Sequence, residues 1–199
     1  SLAEMDGSGV AHLLEDIDGY LCELGLAQIR DGLHIMGTMP PLPDMLRALT
    51  RLPNAGVPGM QDALASSFGL HLPELLASPG ERLPESLVLQ GVVCHSHADL
   101  LEQLDNLSLE LLTVLEDGGF QEAGIEPALR KVLGLSTPDL HAVLRFVCTE
   151  LVPNLERVDD EVQHTLDALE GRYVPAGPSG APTRGMAHIL PTGRNFYAV

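Results

Sequence analysis

The chain has 199 residues, 45% of them apolar and 4% aromatic, and a net charge of −17. That apolar content excludes a disordered chain, and the acidic balance excludes broad nucleic-acid binding, which needs a basic surface opposite phosphate. No apolar run approaches the roughly 18 residues needed to cross a membrane.

Leu dominates and Trp is absent, which favours helices over sheets, because strands draw on aromatic and β-branched residues. Cys22, Cys94 and Cys148 stand far apart, and a sparse, odd count points to a reducing compartment, hence to the cytoplasm. The charge is uneven. Residues 1–170 hold all 28 acidic residues and 8 of the 11 basic ones, a balance of −20. Residues 171–199 hold Arg172, Arg184 and Arg194 and no acid.

In chain order, residues 1–9 carry neither the basic nor the apolar region of a signal peptide and read as a disordered or vector-derived start. Val10, Leu13, Leu14, Ile17, Leu21 and Leu24 recur at helical spacing, and Gly32 closes that helix. Pro40-Pro-Leu-Pro opens a second helix with Met45, Leu46 and Leu49, which Pro53, Asn54 and Gly56 stop. A third covers Pro58 to Ser67, and a short turn of helix covers Pro73 to Ala77. From about Pro84 to Glu116 the pattern reads helical, as one helix or two with a break near Gly91. Ile125 to Leu133 is a short helix closed by Gly134, and Ser136-Thr137-Pro138 starts another. Pro153 interrupts that one. Asn154 is expected to recap a last helix, ending at Gly171. The expected architecture is mainly α. It is a multi-helix array over 10–170 with short Pro/Gly turns, and an extended Gly/Pro-rich segment over 171–199.

Most chemical motifs are absent. There is no GxxxxGK[ST] and the only lysine is Lys131, so this chain does not hydrolyse ATP through a P-loop. Cys94, His95 and His97 stand together. On a helix, residues two apart point about 200° apart and cannot chelate one metal from one face; a strand could present them together, but the flanks read helical. His34 lies between Gly32 and Gly37, where a loop packs an imidazole under itself or brings it close to a ligand. The last segment is the most suggestive. Its glycines, Gly185 and Gly193 among them, let backbone approach a ligand closely. Arg184 and Arg194 can fork onto carboxylates, and Phe196 and Tyr197 can cover an apolar ring. Such a set suits a flat, carboxylate-fringed molecule; it equally suits a structural strap.

The stretch Leu169-Glu-Gly-Arg-Tyr-Val-Pro-Ala-Gly-Pro-Ser-Gly-Ala-Pro-Thr-Arg-Gly185, followed by Leu190-Pro-Thr-Gly-Arg-Asn-Phe-Tyr197, resembles the family of CobN and magnesium chelatase H subunits. Gln28-Ile-Arg-Asp-Gly-Leu-His-Ile-Met-Gly37 and, more weakly, Leu52-Pro-Asn54 look like the same family. The resemblance implies an internal piece of a much longer subunit that binds a metal-free tetrapyrrole. In the cobalt branch, which the Gly-Pro-Ser-Gly-Ala-Pro-Thr-Arg form favours, the substrate is the metal-free corrin hydrogenobyrinic acid a,c-diamide. Cobalt is then the substrate metal. ATP and magnesium are used by separate AAA+-type ATPase subunits, and the piece alone is expected to be inactive. His34 becomes the candidate catalytic residue, and Arg184, Gly185, Gly193, Arg194, Asn195 and Tyr197 the candidate substrate-binding set. A non-catalytic scaffold or docking module of such a subunit, and the equivalent piece of a magnesium chelatase, remain alternatives.

Overall fold

The computed structural model describes residues 37–39, 41–54, 56–175 and 182–190. Its centre is the 21-residue helix α4, His97–Asp117, reached after three short helices and a hairpin. The preceding elements are α1 (Leu42–Thr50), α2 (Met60–Ser67), α3 (Leu72–Ala77), β1 (Arg82–Leu89) and β2 (Val92–Ser96). All five pack against α4, as does α5 (Ile125–Val132) from the C-terminal side. The reason is visible in α4. Leu100, Leu104, Leu107, Leu111, Leu112 and Leu115 are all buried, a wide stripe at three- and four-residue spacing. The described chain is mainly α, as the composition implies.

The hairpin corrects the sequence reading. Residues 82–96 are two antiparallel strands rather than helix, with Val88 opposite Val93 and Leu87 opposite Cys94. Two local facts outweigh the helical spacing. Leu-Val-Leu and Val-Val-Cys are β-prone runs. Between them Gln90 and Gly91 take φ of 49° and 82°, the paired positive values of a two-residue hairpin turn. Period-2 alternation then turns Leu89 and Cys94 to the core and leaves Val88 and Val93 exposed.

Ser96 ends the hairpin and starts α4 in one step. Its hydroxyl accepts from Asp99 N at 3.2 Å, while the Asp99 carboxylate accepts from His95 N at 2.7 Å and Ser96 N at 3.1 Å. This is a capping box with an added bond to the strand.

Further along, α6 (Pro138–Phe146) begins at the predicted hydroxyl cap, with Leu140 N donating to Thr137 Oγ1 at 3.4 Å. Pro153 does not break the chain after it. A π-turn over Val147–Leu151 carries the backbone into α7 (Val152–Leu155). Pro153 cannot donate to the carbonyl four residues back, and the widened turn accommodates it. Asn154 caps nothing here. The kink falls instead at Arg157, with φ −83° and ψ 28°, before α8 (Asp159–Leu169). On α8 the buried residue is Glu161, whose carboxylate accepts from Gly37 N at 3.0 Å, while Val162, Leu166 and Leu169 are exposed.

Burial affects the thiols too. Cys148 is pushed up to about 11, chiefly by desolvation and secondly by Glu122, and Cys94 is raised by desolvation and then by Asp99. Both are free thiols.

The Asp99 carboxyl is held below the usual range, first by the His95 N–H bond and then by the Ser96 hydroxyl. A depressed folded-state pKa stabilises the fold above the unfolded value and is lost as pH falls through the folded one. The stability gap between the native chain and Asp99→Ala should therefore be constant from pH 7 to about pH 5 and narrow below about pH 4. Urea melts across that range check it; a gap that persists unchanged at about pH 2.5 contradicts the capping role.

Candidate functional site

The described part of the C-terminal segment is not a loose strap. Residues Pro182–Arg184 and Ala187–Ile189 form two 3₁₀ turns joined at Gly185 and Met186. Pro182, Ala187, Ile189 and Leu190 are buried, whereas Thr183, Arg184 and His188 are exposed. Four of the five apolar residues between 182 and 190 are thus buried, Met186 is half-buried, and the polar side chains are left in solvent.

The seat is the loop that follows α1. That helix is fixed first. Leu46 and Leu49 are fully buried, and the Arg47 guanidinium bridges Asp44 and Asp105, the latter on α4. Gln61 Nε2 donates to the other Asp105 oxygen at 3.1 Å, so α1, α2 and α4 share one carboxylate. Pro53 then stops the chain. Asn54 and Val57 exchange backbone bonds, Asn54 N to Val57 O at 3.0 Å and Val57 N to Asn54 O at 2.7 Å. Gly59 lets the loop close on itself, because a Cβ there would stand 2.6 Å from the Arg51 carbonyl oxygen.

Asn54 joins loop and segment. Its side chain is buried, with every polar atom used. Nδ2 donates to Leu49 O and to Leu52 O, each at 2.9 Å, satisfying carbonyls that the end of α1 leaves open. Oδ1 accepts from Ala187 N at 2.9 Å, across 133 positions of sequence. Gly185 completes the fit. Its φ is 76°, and a Cβ on it would lie 2.7 Å from the Pro53 carbonyl oxygen. A side chain at position 185 would push the two segments apart and strain the backbone.

The sequence-predicted residues fall unevenly. Arg184 sits on the first 3₁₀ turn, exposed and with no ion pair among the described residues. Gly185 makes its close approach to Pro53. His34, Gly193, Arg194, Asn195 and Tyr197 lie outside the described residues. Cys94, His95 and His97 do not converge. Cys94 faces the core from β2, His95 is exposed one residue on, and His97 Nδ1 lies 3.0 Å from Ser78 O. Among the described residues no group of three His, Cys, Asp or Glu is placed to hold a metal. The residue that sequence reasoning underrated is Asn54. Its signal was present: an amide four residues beyond a helix end and directly after Pro, in the short stretch Leu52-Pro-Asn54 that carries a weak family resemblance.

Comparison with known proteins gives this geometry its context. Residues 1–199 match the family described as CobN/Magnesium Chelatase. The chain is 37% identical to the aerobic cobaltochelatase subunit CobN of Pseudomonas aeruginosa, over 94% of this chain and 15% of that protein. It is 36% identical to the CobN subunit of Sinorhizobium sp., over 94% of this chain and 16% of that protein. Among solved structures, the catalytic subunit of cobaltochelatase from Mycobacterium tuberculosis superposes with a TM-score of 0.60 at 31% identity, over 98% of this chain and 15% of that one. This chain spans about 15% of the length of these relatives. It belongs to the CobN/magnesium chelatase family.

Removing the Asn54 side chain strands the buried Ala187 N–H and Leu49 carbonyl, the part-buried Leu52 carbonyl staying open to water, and each buried unmet group costs about 1 kcal/mol at the low end. Asn54→Ala should lower stability by about 2 kcal/mol. It should also accelerate hydrogen exchange at the Ala187 amide more than at α4. Unchanged Ala187 exchange in that variant would show that the segment is seated by something else.

Proposed function

We propose that this chain is part of the tetrapyrrole-binding large subunit of an ATP-dependent cobaltochelatase, one that inserts cobalt into hydrogenobyrinic acid a,c-diamide in cobalamin biosynthesis. The observation that carries the reading is the seated segment. In a chain that matches the chelatase family throughout, the described residues 182–190 within and beside the stretch that most resembles that family are pinned to the helical body and present Arg184 to solvent.

The chemistry follows from the ligand. A metal-free corrin is a flat apolar ring with carboxylates on its rim. Arg184, Arg194 and Asn195 are the groups to hold that rim, since guanidinium forks match carboxylates in two bonds. Gly193 lets backbone approach the ring, and Tyr197 covers a ring face. Metal entry requires ring N–H protons to leave, and His34 is the group to accept one, because imidazole titrates near neutral pH. Cobalt is the substrate metal. ATP and magnesium belong to AAA+-type partner subunits, consistent with the absence of a P-loop sequence in this chain. The working complex is cytoplasmic in this reading, in keeping with the sparse, odd count of cysteines.

A second reading has one observation behind it. Gly185 spends its conformational freedom on the Pro53 carbonyl. That is the behaviour of a structural strap, as in a scaffold or docking module of the same subunit. The two readings part on one measurement. In the complete large subunit, metal-free hydrogenobyrinic acid a,c-diamide should bind saturably, with an affinity that falls as salt rises. Arg184→Ala should weaken it about tenfold, the value of one charge-assisted contact. Affinity unchanged in Arg184→Ala, followed by corrin absorbance, would leave the scaffold reading standing.

A further inference from the structure

The arginines of this protein are not alike. Arg47, Arg130, Arg145, Arg157 and Arg172 each have a carboxylate within 4.0 Å. In a chain with 28 acids and 11 bases that is the expected fate of a cation. Among the described residues, Arg51, Arg82, Lys131 and Arg184 have no such partner, and all four are exposed. Arg82 opens β1 and Lys131 lies near the end of α5, each on an element of its own. Arg51 and Arg184 are different, because they stand on the two segments that lock together.

Arg51 directly follows α1, and Arg184 directly precedes Gly185. The turn Pro182–Arg184 packs against α1. The backbone at both positions is pinned by close contacts. The Arg51 carbonyl abuts Gly59, the Pro53 carbonyl abuts Gly185, and Asn54 holds Ala187. Arg51 and Arg184 are like charges on adjoining segments, and among the described residues neither has a carboxylate within 4.0 Å. A surface so arranged gains when a ligand supplies the anions. Two guanidiniums carried on backbone held by these contacts each meet a carboxylate, which favours a rigid ligand with two carboxylates over a single small anion.

The geometry points to Arg51 as the second arm, with Arg184, of a two-point site for a rigid polycarboxylate. Under the proposed function, on which this inference rests, its ligand is the carboxylate rim of the metal-free corrin. Asn54 and Gly185 are the positioning residues of that site; Arg51 and Arg184 are its contacts.

The test uses the complete large subunit and two probes, metal-free hydrogenobyrinic acid a,c-diamide and the same corrin with all its carboxylates converted to amides. Arg51→Ala and Arg184→Ala should each weaken the acidic corrin about tenfold, and the double variant about a hundredfold. Neither should change affinity for the amidated corrin. Arg51→Lys should recover part of the loss, which a folding defect would not allow. If Arg184→Ala weakens binding and Arg51→Ala does not, the two-point site is wrong while the proposed function stands. If Arg51→Ala weakens both probes equally, its role is structural and the inference fails. If neither variant weakens either probe, the substrate-holding reading of the segment fails with it.

Discussion

One buried amide determines how the two ends of the described chain meet. Asn54 satisfies the end of α1 with its nitrogen and the C-terminal segment with its oxygen. No other residue type does both from that position. Asp would lose the donors, Leu would lose everything polar, and Gln would overreach the short turn. The cost of burying an amide is met because each of its atoms is bonded. The consequence is that residues 182–190, two 3₁₀ turns outside the main helices, have a fixed place on a helical body.

That place depends on the rest of the fold. Asn54 can act as a latch because it follows shortly after α1, which is clamped to α4 through Asp105 and a leucine core. Packing of that kind transmits position well, since close-packed interiors have little room to deform. The chain of dependence runs from the α4 leucines, through α1 and the loop, to Arg184. Each step trades apolar burial for the placement of one polar group. The two glycines in this arrangement, Gly59 and Gly185, serve close backbone approach within the protein.

The helices were legible where periodicity and punctuation agreed. The α2 and α5 boundaries and the start of α6 fall within two residues of their expected places, because Pro, Gly and Thr137 mark those ends, whereas α6 stops at Phe146, six residues short of the expected Val152. The hairpin was misread because its apolar residues satisfy both a period of two and a helical spacing over so short a run, and only the Gln90–Gly91 turn separates them. Pro153 was read as a break because local rules say so. The chain absorbs it by widening one turn. The Arg184 and Gly185 positions were legible by chemical type, Gly and Arg amid Pro, but not their seat. A contact between positions 54 and 187 leaves no mark in local sequence. Arg51 gave no signal at all, since an exposed arginine after a helix is ordinary until its neighbour is known.

The claim on which the account rests is the bond from Ala187 to Asn54, and nuclear magnetic resonance can see it directly. In a chain labelled with ¹⁵N and ¹³C, a scalar coupling across the hydrogen bond should link the Ala187 amide nitrogen to the Asn54 side-chain carbonyl carbon. A resolved coupling is the predicted result. No coupling, together with an Ala187 amide that exchanges as fast as in an unstructured peptide, would contradict the latch and remove the seat from under the segment.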